Sequence, residues 1–188
     1  MDTANRGPPP PPPPRAGAAT AAFSAPAPGG APPRGRPLAE VAGVPATSTS
    51  IAFAEAVHAL GLCTVAVAAS YPDEVARLFV DFLADAGIEV VSMSSAGIDT
   101  AAEVGTLTAS QVLRLAADND HPGAQALLIP DTAMHTLTVL PDLEATLGKP
   151  VLTANQVTIW AGLRLAGAEP VVPGLGTLFA ERQTDVRR

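Results

Sequence analysis

Residues 126–153 read ALLIPDTAMHTLTVLPDLEATLGKPVLT, and their pattern decides the fold. The four residues from Ala126 to Ile129 form a short apolar run, as expected of a strand covered on both faces. Pro130, Asp131 and Thr132 stop it. Helical spacing predicts a helix from about Thr136 to Leu147, which Gly148 closes. A second short apolar run follows from Pro150 to Thr153. Strand, helix and strand in that order make a βαβ unit with parallel strands and a right-handed crossover.

The same alternation extends in both directions. Upstream, TVAVAA at 64–69 is another apolar run. Pro72 opens a helix with Asp73 and Glu74 in its first turn, favourable for the helix dipole. Val75, Leu78, Phe79, Phe82 and Leu83 give that helix one apolar stripe, and Gly87 closes it. Residues Ile88 to Met93 read as the second strand, followed by a loop with Gly97, Asp99 and Thr100. A helix is expected over Thr108–Asp118, with Val112, Leu113 and Leu115 inward. Ahead of the first strand, the hydroxyls of 47–50 can cap a helix carrying Ile51, Ala54, Val57, Ala59 and Leu60, which ends at Gly61. Downstream, Asn155 to Leu165 is the last long helix, with Trp160, Leu163 and Leu165 expected in the core. Residues 173–179 close the fold with a glycine turn. The expectation is a doubly wound α/β domain with a four-stranded parallel sheet in flavodoxin-like order.

Composition sets the outer limits. Of 20 prolines, 12 precede residue 38, seven of them consecutive from Pro8 to Pro14. So few large apolar side chains cannot offset ordering entropy, which predicts a disordered leader over 1–37. Its proline run favours polyproline II, either a ligand for an SH3-like or WW-like groove or simply a solvated extension. The folding unit is expected over 38–182, with a polar tail at 183–188. The leader carries four arginines against Asp2, a net +3, leaving −10 for the remainder of a chain whose total is −7. A net-acidic domain does not favour nucleic acid. The single cysteine, Cys63, rules out an intramolecular disulfide and suits a reducing compartment. No apolar run is long enough to span a bilayer, and the leader lacks the apolar core of a secretory signal. The expectation is a cytoplasmic protein with no membrane partner.

In open parallel sheets, ligands bind at the carboxyl ends of strands. Three such ends are chemically marked: Ser70 with Tyr71, Asp131 with Thr132, and Thr153 with Asn155 and Gln156. Tyr71, the only tyrosine, can donate to a substrate oxygen or pack in a turn. Ser70 can add a second hydroxyl. Asp131 can serve as acid or base, or can cap the helix expected just after it. His135 can serve as acid or base or lie on the surface of an early helical turn. His58 and His121 are scattered and give no metal-ligand spacing. Cys63 matches a buried structural thiol better than a nucleophile. Gly174 and Gly176 follow no strand–helix fingerprint for a nucleotide.

Four stretches carry a resemblance to a known family. They are GVPATSTSIAFAEAVHALG at 43–61, TVAVAASYPDEV at 64–75, the long 126–167 stretch with its GKPV-T-NQ-W-LRLAG pattern, and PGLGTLF at 173–179. Their order and spacing are similar to the carboxyl half of the maleate isomerase and arylmalonate decarboxylase branch of the aspartate/glutamate racemase superfamily. The likeness covers roughly Gly43 to Arg182.

The resemblance implies two α/β halves facing each other across a cleft for a small dicarboxylic or amino acid. It implies chemistry at the carbon alpha to a carboxylate, with no cofactor and no metal. Maleate isomerases and racemases place a cysteine in each half, and arylmalonate decarboxylases keep one in the carboxyl half. Asp131 aligns with that carboxyl-half cysteine, and the leader stands where the amino half would be. The resemblance assigns Tyr71 to a substrate carboxylate, Thr132 to an oxyanion through its N–H, and Asn155 to support of the site. The reading that follows makes Asp131 and Tyr71 catalytic, with Ser70, Thr132 and Asn155 binding substrate. The enzyme would be an isomerase, decarboxylase or racemase. The alternative is a non-catalytic, truncated member that binds a small acid or partner chain. A missing half would leave apolar surface, predicting a homodimer or pairing with a complementary amino-half chain.

Overall fold

The computed structural model describes residues 39–40 and 43–180. The expected disordered leader at 1–37 and polar tail at 183–188 lie outside the described residues. In chain order the elements are α1 (Thr49–Ala59), β1 (Thr64–Ala69), α2 (Asp73–Asp85), β2 (Glu89–Ser95), α3 (Ala101–Val104), α4 (Ala109–Asp118), β3 (Ala126–Ile129), α5 (Leu140–Leu147), β4 (Val151–Thr153) and α6 (Ala154–Leu165). A 3-10 turn over Thr177–Phe179 follows. The four strands form one parallel sheet in the order β2-β1-β3-β4, the doubly wound arrangement expected from the sequence.

Strand alternation divides the core into two layers. Val65, Val67 and Ala69 of β1, with Ala126 and Leu128 of β3, face α1, α2 and α6. Ala66 and Ala68, with Leu127 and Ile129, face α3, α4 and α5. Every residue of β3 is fully buried, which explains why its sequence runs apolar instead of alternating. Helix α1 is buried on more than one side, through Ala52, Phe53, Ala56 and Val57. Thr49 at its start shares a 3.0 Å hydrogen bond with Thr158 of α6.

Local capping explains the helix starts. The Ser48 hydroxyl accepts the N–H of Ile51 and caps α1. Thr108 and Gln111 form a reciprocal capping box at α4. Helix α5 ends on left-handed Gly148.

Four expectations are corrected. Helix α5 begins at Leu140, not near Thr136, because residues 131–139 form a loop anchored by buried Met134 and Thr136. Pro141, tolerated in a first turn, marks the true start. The loop after β2 contains the short helix α3, capped by the Thr100 hydroxyl on the Glu103 N–H. Leu163 and Leu165 are 37% and 43% exposed, outside the core. The buried stripe of α6 runs through Val157, Trp160 and Ala161, and the guanidinium of Arg164 lies 4.8 Å from the Trp160 ring centre. Finally, Cys63 is exposed at the amino end of β1, the end of the sheet opposite the marked residues.

Candidate active site

The sheet order reverses direction between β1 and β3, and this is the switch point where ligands bind. Ser70 and Tyr71 leave β1 there, and Pro130, Asp131 and Thr132 leave β3. The Ser70 hydroxyl donates a short hydrogen bond to Asp131 Oδ2, joining the two strand ends. Ser70 is fully buried. The other carboxylate oxygen, Oδ1, accepts the N–H of Ala133 at 2.7 Å. Asp131 is therefore fixed by its own loop and by the neighbouring strand. It does not cap a helix, since α5 begins nine residues later at Leu140.

A cavity of about 180 Å³ opens beside this pair. Its walls are Thr49, Ser50, Phe53, Tyr71, Phe79, Pro130, Asp131 and Thr132. The Phe53 and Phe79 rings meet edge to face, with centroids 5.3 Å apart. The first turn of α1 supplies the hydroxyls of Thr49 and Ser50. Among the described residues, Asp131 brings the one carboxylate to the wall, and no basic side chain lines it.

The Tyr71 hydroxyl oxygen is buried. Burial, reinforced by the negative charge of Asp131, pushes its pKa well above the ordinary tyrosine value. Tyr71 consequently stays a neutral O–H donor at physiological pH. Its carbonyl accepts the Ser95 hydroxyl at 2.5 Å, and the Ser70 carbonyl accepts the Ile98 N–H at 2.7 Å. These contacts pin the β1 end against the segment leaving β2.

The expected residues divide into two groups. Ser70 and Asp131 meet directly, while Tyr71, Asp131 and Thr132 share the cavity wall. Asn155 is not on that wall. Its side-chain amide donates to the Thr132 carbonyl at 3.0 Å and so holds the loop that carries Asp131. His135 is exposed in the 131–139 loop, away from the cavity wall and from any helical turn. Gln156 works at a different place, donating to the Leu175 carbonyl at 2.7 Å and accepting the Thr153 N–H at 3.2 Å. Thr49, Ser50, Phe53 and Phe79 were not among the expected site residues. The hydroxyl-rich start of α1 was the available signal. The two phenylalanines carried none: Phe79 reads as part of the apolar stripe of α2, and Phe53 falls outside the spacing read for α1.

Comparison with known proteins fits this geometry. A model of the arylmalonate decarboxylase family matches residues 35–179. The chain belongs to the arylmalonate decarboxylase family, within the branch that also holds the maleate isomerases. It is 32% identical over 148 residues to arylmalonate decarboxylase of Bordetella bronchiseptica, covering 77% of this chain and 61% of that one. It is 28% identical over 137 residues to maleate isomerase of Pseudomonas putida, covering 72% and 55%. A solved structure of a mutant arylmalonate decarboxylase in liganded form superposes with a TM-score of 0.73 at 28% identity, over 77% of this chain and 63% of that chain. The chain thus spans 61% and 55% of the length of these two curated relatives. Among the described residues, no helix is long and apolar enough to cross a membrane.

Proposed function

We propose that the chain acts on a small carboxylic acid, without a cofactor, at the carbon alpha to the carboxylate. The class is isomerisation or decarboxylation, as the names of its relatives suggest, or racemisation, as the superfamily resemblance implies. The observation that carries this reading is the Ser70–Asp131 pair at the β1/β3 switch point, opening on a cavity shared with Tyr71.

Asp131 takes the acid–base role that the resemblance gives to a thiol. As a base, an Asp131 oxygen accepts the proton on the alpha carbon. The C–H electron pair moves into the carboxylate and forms an enediolate, and Asp131 becomes neutral. Asp131 can return its proton only to the face it left, and inversion follows when water protonates the opposite face and the hydroxide so formed takes the Asp131 proton. In decarboxylation the breaking C–C pair forms the same enediolate, carbon dioxide leaves, and a proton taken from water through Asp131 saturates the alpha carbon. Tyr71 remains protonated, so it can donate to an enediolate oxygen as charge develops. Ser70 and the Ala133 N–H hold the Asp131 carboxylate in register, and Asn155 holds Thr132. A base fixed in this way loses little entropy on reaction.

The test is proton NMR in D₂O with the full chain and a panel of arylmalonates, maleate and 2-substituted acids. Turnover or alpha-deuteration is expected, and Asp131→Asn should lower it by roughly 10²- to 10⁴-fold, the usual worth of a positioned acid–base group. Tyr71→Phe should lower it less. A folded chain inert toward the whole panel, or an Asp131→Asn protein of full activity, would sink the reading.

A further inference from the structure

We infer that the ligand group facing Asp131 is a hydrogen-bond donor, so that the cavity prefers a monocarboxylate bearing a hydroxyl or ammonium on its alpha carbon over a dicarboxylate. This rests on the reading of the cavity as a small-acid site and specifies which acid it takes.

The position of the Asp131 carboxylate is fixed. Oδ2 of Asp131 accepts from Ser70, and Oδ1 accepts from the Ala133 backbone. Turning the carboxylate away from the cavity would leave the fully buried Ser70 hydroxyl without its acceptor. Asp131 therefore stays on the wall when a ligand enters. With both oxygens already accepting, the Asp131 carboxylate has acceptor lone pairs to offer a ligand, so it welcomes an O–H or N–H and disfavours another carboxylate.

Among the described residues, the lining holds no lysine, arginine or histidine to neutralise that charge. The two ion pairs among the described residues, Arg77–Asp73 and Lys149–Asp120, involve other carboxylates. A dianion would have to place one carboxylate close to Asp131 with no cation to screen it. A single carboxylate can instead lie toward the hydroxyls of Tyr71 and Ser50, while an alpha hydroxyl or ammonium meets Asp131. The apolar substituent then rests on Phe53, Phe79 and Pro130, which supply the uncharged part of the wall.

The test compares four ligands that share a phenyl group and a carboxylate: phenylacetate, mandelate, phenylglycine and phenylmalonate. Binding to the full chain is measured by calorimetry at fixed pH and salt, separately from turnover. Mandelate or phenylglycine should bind at least about tenfold more tightly than both phenylacetate and phenylmalonate. The mandelate–phenylglycine comparison tells hydroxyl from ammonium. In Asp131→Asn the advantage of the donor should shrink and phenylmalonate should gain. Phenylmalonate as the tightest wild-type ligand, an unchanged ranking in Asp131→Asn, or no binding by any of the four would overturn the inference. The wild-type ranking decides the matter even if the variant folds poorly. Donor-bearing acids that bind without exchange or turnover would remove the proposed chemistry and leave the charge preference standing. Decarboxylation of tightly bound phenylmalonate would do the reverse.

Discussion

Replacing Gly176 with alanine should be among the most damaging single-methyl changes in this fold. Gly176 has φ 73° and ψ −178°, a backbone region that is essentially restricted to glycine. Holding any other residue there costs about 1–3 kcal/mol. The space is also taken. A Cβ at this position would lie 2.9 Å from Glu144 Oε1, 3.0 Å from Leu140 Cδ2 and 3.1 Å from Gln156 Nε2. Those polar atoms are already committed. The Glu144 carboxylate accepts the N–H of Thr177 at 2.9 and 3.0 Å and its hydroxyl at 3.0 Å, and Gln156 Nε2 donates to the Leu175 carbonyl. Making room means losing one or two of these bonds, at roughly 1 kcal/mol each. The combined cost is about 2–5 kcal/mol, or a Tm drop of roughly 10 °C for a domain of this size. Urea and thermal unfolding followed by circular dichroism would measure it. A Gly176→Ala protein within about 0.5 kcal/mol of the parent would refute the account of this turn as latched onto α5 and α6.

Gly162→Ala should do the opposite. Gly162 lies inside α6 with open space around its Cβ direction, so the same unfolding assay should show a gain of about 0.5–1 kcal/mol. Lys149→Met should destabilise by roughly 2–3 kcal/mol in urea melts, because its partly buried ammonium bonds the His121 and Ala124 carbonyls and Asp120. Tyr71, the only tyrosine, should show no phenolate absorbance at 295 nm near pH 10 in the native protein. Its folded pKa is raised, so its contribution to stability is intact below about pH 10, where free tyrosine titrates, and is lost as pH climbs further. Tyr71→Phe should remove that alkaline dependence, and a native phenolate titrating near 10 would contradict the burial argument. Cys63 should react with a thiol reagent in the folded protein without loss of the fold, since it is exposed and far from the cavity.

The sheet was legible because its signals are local. Apolar runs at 64–69 and 126–129 have no alternation to confuse them, and glycines such as Gly87 and Gly148 mark where helices stop. The start of α5 was harder. Residues 131–139 contain helix-compatible residues, yet Met134 and Thr136 are drawn inward and Asp131 turns its carboxylate back to the Ala133 N–H. That preference is tertiary, and only Pro141 betrayed it locally. Helix α3 left a trace in Thr100 and Glu103, a capping pair on too short a segment to show periodicity. Leu163 and Leu165 look like core residues by type, but the helix face they occupy turns outward past Trp160. Of the site, the strand-end residues Ser70, Tyr71, Asp131 and Thr132 could be placed from sequence because strand ends are fixed by the fold. The aromatic wall of Phe53 and Phe79 depends on how α1 and α2 pack over those ends, and pairwise packing leaves no mark in one sequence.

Amide chemical-shift mapping with a small acid asks whether ligands bind at the β1/β3 switch point. On titrating mandelate into the ¹⁵N-labelled full chain, shifts should concentrate at 49–53, 70–71 and 131–133, around that switch point. Shifts centred elsewhere, for example on the exposed face of α6 at Ile159 and Leu163, or no shifts at all, would contradict it.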